Sequence, residues 1–237
     1  MWKVIATGWQ VDEFLERFLH SVCRQSRGDW ELWGAIDGPG PHDAARAFVD
    51  QHQDSRLHVY YNEKRQYATE NIVMLMELCG RQPDDRIALV DMDDQMLPAA
   101  LDMAESYHAF GKWVTYGSYE SESGRPARFK GAYPPTTNLR TAKWRATHLR
   151  TFRSHLWDHL KVKDLRGPDG LYYRTSWDMA IMLPLMEMAG PKRCTHVPVP
   201  LYVYNDLNPA NDHKLARDDQ KRMERHIRRR APYRRLP

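Results

Sequence analysis

The sequence predicts an α/β fold with a mixed, mostly parallel sheet and helices on both faces, in a single domain with a basic C-terminal extension. Short segments rich in β-forming residues alternate with amphipathic segments from residue 3 to about residue 110, the order that βαβ units produce. Segment 87–90, Ile-Ala-Leu-Val, is continuously apolar, as in a strand covered on both faces. With 237 residues, 42% of them hydrophobic, the chain is long enough to bury a substantial core.

Local pattern predicts the elements of the first half. Segment 3–7 is short, rich in β-formers and followed by Gly8, which indicates a buried strand. In segment 11–24 apolar residues recur at helical spacing, and Asp12 and Glu13 suit the first turn of a helix. The same criteria predict strands at 30–36, 57–61 and 86–90 and helices at 42–51 and 70–78.

Periodicity weakens in the second half. We predict a strand at 112–117, an irregular turn-rich region at 118–147, a helix from Asp178 to a stop at Gly190, and a last strand at 197–204. These elements predict one domain at 1–213, in halves 1–110 and 111–213, followed by the extension at 214–237.

Charge and cysteine content argue against several classes of protein. The formal net charge is +4, yet segment 214–237 holds ten Lys and Arg against three acids, so the rest of the chain is slightly acidic. Cys23, Cys79 and Cys194 are widely spaced and form no CxxC pair, which argues against a disulfide framework or a structural zinc site. We find no signal-peptide core and no apolar run of membrane-spanning length. We therefore expect a soluble cytoplasmic protein, in the host-cell cytoplasm if the source is viral.

Asp91 and Asp93 form the most informative cluster. They lie at i and i+2 after a buried strand, at the sheet edge where ligands bind in open α/β folds. Their carboxylates suit Mg²⁺ or Mn²⁺, with a diphosphate completing the coordination. The alternative is an Asp-rich surface turn before the helix that begins near Pro98, because a bare DxD motif has many false positives.

Asp178 has two interpretations that spacing alone does not separate. Thr175 and Asp178 ahead of an apolar helix match a capping box. A carboxylate at a helix N-terminus also stays ionised and can act as a general base, with Trp177 against a sugar ring. A metal-binding cluster and a remote base describe metal-assisted displacement at a diphosphate ester. His148 and His213 lie in polar contexts that suit either a metal ligand or a surface histidine.

Several motifs together resemble the family 2 glycosyltransferases of the GT-A fold. The strand Val4-Ile5-Ala6-Thr7 and the segment from Trp30-Glu31-Leu32 to Ile36-Asp37-Gly38 are similar to the opening of that family. Segment 89–98, with Asp91-Met92-Asp93-Asp94, resembles its metal-binding segment, and Trp177-Asp178 occupies the place of its catalytic carboxylate. The resemblance covers residues 3–110 and resumes at 172–205.

The resemblance implies a nucleotide-sugar site in the first half and an acceptor site in the second. It assigns donor contacts to Thr7, Gly8, Asp37, Arg65, Asp91 and Lys214, Mn²⁺ or Mg²⁺ ligation to Asp93 and His213, and the role of inverting base to Asp178. Trp177, His148 and Arg150 are expected near the acceptor. Two departures from the family pattern are Gly38-Pro39-Gly40, where Gly-Ser usually follows the Asp, and Trp177, where an acidic residue usually precedes the base.

The acceptor remains open at this stage. Family frequency favours a glycan, with a UDP-sugar as the expected donor. The basic segment 214–237 keeps hydroxymethylated bases of phage DNA as an alternative, because clustered cations bind phosphates. A non-catalytic nucleotide-sugar-binding module is the third alternative, and the presence of Asp91, Asp93 and Asp178 argues against it.

Overall fold

A computed structural model of the chain describes residues 1–40, 42–126, 131–211 and 216–237. The strands are β1 (Trp2–Gly8), β2 (Trp30–Ile36), β3 (Leu57–Tyr61), β4 (Arg86–Asp91), β5 (Gln95–Met96), β6 (Val114–Ser121), β7 (Thr147–Arg153) and β8 (Cys194–Tyr204). They form one mixed sheet in the order β3-β2-β1-β4-β7-β6-β8-β5.

Helices cover both faces of this sheet, which confirms the predicted fold class. They are α1 (Asp12–Cys23), α2 (Asp43–His52), α3 (Tyr67–Leu78), α4 (Ala100–Ala109), α5 (His155–Asp158), α6 (Trp177–Ala189) and α7 (Arg217–Arg229), with a 3₁₀ turn at Val162–Leu165. Most bounds lie within a few residues of those predicted from periodicity.

Alternate residues of the central strands enter two separate cores. Ile5 and Leu89 pack with residues of α3, α5 and α6 on one face. Val4 and Val90 pack with residues of α1, α2 and α4 on the other. All four side chains are at most 2% exposed. The apolar run 87–90 is therefore covered on both faces, as its composition predicts.

The ends of β1, β2 and β4 meet at one edge of the sheet. The three strands are parallel, with Thr7 opposite Asp91 and Gly8 opposite Ile36. The backbone N–H of Met92 donates to the carbonyl of Thr7 (3.0 Å), and that of Asp37 donates to the carbonyl of Gly8 (2.7 Å). Backbone pairing thus places the residues that follow these strands side by side.

The prediction of an irregular region at 118–147 is wrong at both ends. Strand β6 continues to Ser121, and β7, which the sequence pattern did not predict, begins at Thr147 and lies antiparallel between β4 and β6. Polar residues obscure this strand: Thr151 is fully buried, and its hydroxyl lies 2.7 Å from Nε2 of His108. Buried polar side chains with partners inside the fold do not follow the apolar alternation that identifies strands.

The basic C-terminal segment folds onto the body. Helix α7 buries Met223 and Ile227 in the core that contains α6. Beyond it the chain is extended, and the hydroxyl of Tyr233 donates to Asp164 (2.7 Å). The domain boundary at residue 213 stays a prediction.

Across the described ranges, every helix falls short of the length and apolar character that crossing a membrane requires.

Candidate active site

An open cleft lies where β1, β2 and β4 end. The start of α6, the beginning of β7 and residues after β8 contribute to its walls. Of the predicted site residues it holds Thr7, Gly8, Asp37, Arg65, Asp91, Asp93, His148, Arg150, Trp177 and Asp178. His213 and Lys214 fall outside the described residues. Segments far apart in sequence therefore meet in one site.

Gly8 allows the end of β1 to approach the segment that follows β4. A Cβ atom on Gly8 would lie 2.7 Å from Cβ of Met92 and 2.8 Å from Cγ2 of Val11. Side chains do not pack at such distances, so a larger residue would push the backbone next to Asp91. Glycine at this position keeps the strand ends of the cleft together.

Asp37 fixes the loop between β3 and α3. Its buried carboxylate accepts hydrogen bonds from the backbone N–H groups of Gln66 (2.7 Å) and Tyr67 (2.8 Å), and from Nδ2 of Asn62 (3.1 Å). Tyr67 has a φ of 65°, in the left-handed region that non-glycine residues seldom adopt. The carboxylate thus holds an unusual backbone turn against the cleft.

Arg65 lies between two aromatic rings on the cleft wall. Its guanidinium carbon is 3.4 Å from the ring centroid of Trp9 and 4.4 Å from that of Tyr67. Arg174 also approaches Tyr67, at 5.3 Å. Rings and cations therefore alternate along this wall, which stabilises the cations. Of these four residues the sequence predicted only Arg65. Among the three that it missed, only Trp9, directly after a strand end, carried a signal.

The carboxylates after β4 suit a divalent cation. Asp91, Asp94 and His148 each offer a ligand atom, and these atoms all lie within 4.8 Å of one another. Burial raises the pKa of Asp93 and raises that of Asp94 well above its usual value, to which the charges of Asp93 and Asp91 add. A bound cation would offset this crowding of negative charge, and carboxylate oxygens are ligands that Mn²⁺ and Mg²⁺ accept.

Asp94 has one buried oxygen that the fold leaves poorly satisfied. Its Oδ1 accepts a hydrogen bond from the backbone N–H of Asn205 (2.7 Å). Its Oδ2 has no hydrogen-bond partner of normal geometry among the described residues, although the Tyr202 hydroxyl is near enough to favour the charged form. A buried acceptor without a full partner is costly, and a cation at this position would remove the cost. The donor set therefore fits a divalent ion.

The turn at 205–211 closes the cleft beside Asp93. Nδ2 of Asn208 donates to Oδ2 of Asp93 (2.7 Å), and Oδ1 of Asn205 accepts from the backbone N–H of Asn208 (3.1 Å). Nδ2 of Asn211 donates to the carbonyl of Asn205 (2.9 Å). Three asparagines at three-residue spacing thus tie this turn to the carboxylates, a pattern that sequence reasoning did not use.

His148, near the start of β7, is neutral. Its ring stacks on Tyr202, with centroids 4.6 Å apart and planes at 10°. Burial lowers the pKa of His148 well below its usual value, and the Arg150 cation adds to the effect. Nδ1 lies 3.3 Å from Nη1 of Arg150 and 3.8 Å from Oδ2 of Asp91. Because arginine only donates, Nδ1 is the acceptor in this pair and the ring proton is on Nε2.

Asp178 lies in the first turn of α6, facing β7. Ser176 is the N-cap residue, with a φ of 58° and no side-chain capping bond, and Thr175 Oγ1 has no hydrogen-bond partner among the described residues. The capping box that the spacing suggested is therefore not formed. Instead, Oδ2 of Asp178 accepts hydrogen bonds from Nε1 of Trp144 (2.9 Å) and Nη2 of Arg150 (3.2 Å).

Helix α7 contributes the outer wall beside Asp178. Gln220 lines the cleft, and its carbonyl accepts a hydrogen bond from Oγ of Ser176 (3.3 Å). Burial raises the pKa of Glu224, one turn further along α7, and the charge of Asp178 adds to the effect. A second carboxylate, from another helix, therefore lies near Asp178. In the family pattern an acidic residue directly precedes the base, and here Trp177 stands at that position.

A family model now identifies the chain. The model described as glycosyl transferase family 2 matches residues 5–172, more than two thirds of the sequence. The chain belongs to this family. A search of curated proteins gives no match.

Solved glycosyltransferase structures share the fold of this family 2 member. TarS from S. aureus aligns with a TM-score of 0.66 at 14% identity, over 86% of this chain and 36% of TarS. TarS 1–349 in complex with UDP-GlcNAc gives a TM-score of 0.64 at 14% identity, over 91% of this chain and 60% of that structure. The mannosyltransferase PcManGT from Pyrobaculum calidifontis, in complex with GDP-Man and Mn²⁺, gives a TM-score of 0.58 at 13% identity, over 86% of this chain and 56% of that structure. The chain spans between 36% and 60% of the length of these three structures.

This family 2 member thus has a GT-A fold. Its cleft combines a wall of rings and cations around Arg65 with a group of carboxylates after β4. The carboxylate of Asp178 lies on another wall. Cations and rings bind nucleotides and diphosphates, clustered carboxylates bind metals, and a separate carboxylate can accept a proton.

Proposed function

We propose that this glycosyltransferase moves a sugar from a UDP-sugar to a hydroxyl group of a glycan, with Mn²⁺ or Mg²⁺ as cofactor. The acceptor oxygen forms a bond to the anomeric carbon as the bond to the diphosphate breaks, which inverts that carbon and releases the nucleoside diphosphate. The convergence of the strand-end residues and Asp178 in one cleft carries this proposal.

The donor is proposed to lie along the wall built from β1 and the loop before α3. Thr7 and Gly8 contribute backbone, Asp37 holds the loop, and Arg65 supplies a cation for the nucleotide. The ring of Trp9 offers a face for base stacking. TarS structures in complex with UDP and with UDP-GlcNAc support testing uridine donors first.

The metal is proposed to bind between Asp91 and Asp94, with Asp93 as the further ligand that the resemblance predicts. The close ligand atoms of Asp91 and Asp94 and the poorly satisfied oxygen of Asp94 support this site. When bound, the ion offsets negative charge on the diphosphate leaving group. His213 stays a predicted ligand and Lys214 a predicted diphosphate contact.

Asp178 is proposed as the base that takes the proton of the acceptor hydroxyl. Both of its hydrogen bonds within the described part of the chain go to Oδ2, which leaves Oδ1 for the proton. Trp177, His148 and Arg150 line the same part of the cleft, where the acceptor is expected. Trp177 is only 8% exposed, so it contributes an edge to this site.

A glycan is favoured over DNA as the acceptor because cations of the basic segment are engaged within the protein. Nη1 of Arg228 donates to the carbonyls of Arg140 (3.0 Å) and Ala142 (2.9 Å). Arg230 pairs with Asp164 (3.0 Å). These two guanidinium groups are therefore directed at partners within the protein rather than at nucleic-acid phosphates.

Donor binding and turnover test the proposal together. The protein is titrated with UDP-GlcNAc by calorimetry in Mn²⁺ and in EDTA, and UDP release is followed with simple glycans and hydroxymethylated DNA as acceptors. We expect Asp93→Asn to lose Mn²⁺-dependent binding. Asp178→Asn should keep donor binding and lower turnover by about 10²- to 10⁴-fold, the usual contribution of a general base.

Asp50→Asn is the matched control, because Asp50 is exposed on α2. It should bind and turn over donor like the unchanged protein. Failure of UDP-GlcNAc, UDP-glucose and UDP-galactose to bind would contradict the donor assignment. Undiminished turnover in Asp178→Asn would contradict the base, and transfer to hydroxymethylated DNA alone would replace the glycan as acceptor.

A further inference from the structure

We propose that Arg150 is the positioning residue of the base: with Trp144 it holds one carboxylate oxygen of Asp178 and so turns the other oxygen toward the acceptor. The role rests on the proposed function of Asp178. The resemblance places Arg150 near the acceptor. In the structure its guanidinium donates to groups of the protein itself.

The guanidinium of Arg150 is fixed on three sides. Its side chain is 6% exposed. Nε donates to the carbonyl of Ala146 (3.0 Å), Nη1 to Nδ1 of His148 (3.3 Å) and Nη2 to Oδ2 of Asp178 (3.2 Å). The ring of Trp177 lies 5.1 Å from the guanidinium carbon. An arginine held by three different acceptors has little freedom to rotate toward a ligand.

The two donors on Asp178 act on the same oxygen. Nε1 of Trp144 and Nη2 of Arg150 reach Oδ2 from the segment before β7 and from β7 itself. Because donors prefer to lie near the plane of an sp² oxygen, two hydrogen bonds to Oδ2 restrict rotation of the carboxylate. The other oxygen, Oδ1, is then presented in a constant direction, which a proton acceptor in a transfer reaction needs.

Arg150 also balances the charge around Asp178. Glu224 on α7 adds negative charge near Asp178, and Arg228 on the same helix lowers the pKa of Glu224. Tyr133, in the segment before β7, is neutral because burial raises its pKa. Among these groups, Arg150 is the cation in direct contact with Asp178. Arg150 therefore offsets the negative charge that Asp178 and Glu224 bring together.

His148 holds Arg150 in this position. Its ring stacks on Tyr202, and its Nδ1 accepts from Nη1 of Arg150 (3.3 Å). A lysine at position 150 would keep the charge and lose the fork that makes these contacts.

The indole of Trp144 reports the position of the Asp178 carboxylate in the free protein. The chain has eight tryptophans, so a ¹⁵N-tryptophan-labelled sample gives few indole signals, and Trp144→Phe assigns the one in question. Because Nε1 of Trp144 donates to Asp178, the chemical shift of this indole proton depends on that hydrogen bond. Asp178→Ala removes the acceptor and should move the signal, which confirms the assignment without any donor or acceptor.

Arg150→Met should move this indole signal at fixed pH, because Asp178 loses the second donor that holds Oδ2 in place. Arg150→Lys keeps the charge and loses the fork, so it should move the signal as well. Arg153→Met is the matched control: Arg153 lies on the same strand, but its Nη2 donates to the carbonyl of His108 (2.7 Å). The indole signal should not move in this control.

An unchanged indole signal in Arg150→Met, or an equal change in Arg153→Met, would overturn the proposal. With UDP-GlcNAc as donor, Arg150→Lys should lower kcat at least tenfold with little change in the donor KM, and an unchanged kcat would also overturn it. If the unchanged protein neither binds nor turns over a UDP-sugar, the proposed function fails, while the indole signal still decides whether Arg150 positions Asp178.

Discussion

Asp37 has a structural role that its position after β2 does not predict. The sequence marks it as a donor contact, and that assignment stays a prediction. In the fold its carboxylate accepts the backbone N–H groups of Gln66 and Tyr67 and so sets the loop that carries Arg65. These bonds join residues about 30 positions apart and leave no local pattern in the sequence.

Removal of the Asp37 carboxylate should loosen this loop. Asp37→Ala leaves two backbone donors without their acceptor, and each unsatisfied buried group costs about 1 to 3 kcal/mol. We expect the free energy of unfolding, measured in urea, to fall by about 2 kcal/mol or more. Binding of UDP-GlcNAc, measured by calorimetry, should weaken because Arg65 loses its fixed place.

The comparison for this variant is Asp50→Ala. Asp50 is exposed on α2, so its loss should change the free energy of unfolding by no more than about 0.5 kcal/mol. Equal stability of the two variants would show that Asp37 does not anchor the loop.

Among the elements, β7 determines which side chains meet in the cleft. It lies antiparallel between β4 and β6, with Arg150 opposite Leu89. This register brings the start of β7, including His148, to the edge where the parallel strands end. Its polar residues hid the strand from pattern analysis, although they are the residues that the cleft uses.

A buried ion pair connects the segment before β7 to helix α6. Arg140 and Glu187 side chains are each 8% exposed and form two hydrogen bonds, of 2.5 and 2.6 Å. Nη1 of Arg140 also donates to the carbonyl of Ile227 on α7 (2.7 Å). One arginine thus holds the segment before β7, helix α6 and helix α7 together.

Arg140→Met should therefore be strongly destabilising. It leaves Glu187 as a buried charge without its partner, and breaking such pairs costs about 3 to 5 kcal/mol. Urea unfolding measures the loss. Arg222→Ala is the comparison, since Arg222 and its partner Asp219 form an exposed pair on α7, which contributes at most about 1 kcal/mol. Similar losses in the two variants would contradict a stabilising role for the buried pair.

For the whole molecule, residues 216–237 are part of the folded body. Tyr233 donates its backbone N–H to Glu187 (2.9 Å) and its hydroxyl to Asp164 (2.7 Å). The guanidinium of Arg193 donates to the carbonyl of Pro237 (2.9 Å). The segment that looked like a charged extension therefore packs on the rest of the domain, while cations such as Arg229 and Arg234 stay exposed.

Deletion of residues 231–237 should lower the melting temperature. The contacts of Tyr233 are lost, and each kcal/mol of lost stability lowers the Tm of a chain this long by about 2 to 4 °C. The matched variant Arg229→Gln/Arg234→Gln removes two exposed cations and should leave the Tm unchanged. An unchanged Tm on deletion would contradict the structural role. A DNA-binding role predicts instead that the double variant weakens the salt dependence of filter binding.

The sequence by itself determined the α/β fold and the carboxylates at the strand ends. Parallel strands joined by helices share an edge, so local pattern was enough to place Thr7, Asp37 and Asp91 together. Only the tertiary structure decided how β7 is inserted and that Arg150 holds Asp178. Those contacts join segments 28 or more residues apart, through an antiparallel strand and helix ends whose geometry no local periodicity encodes.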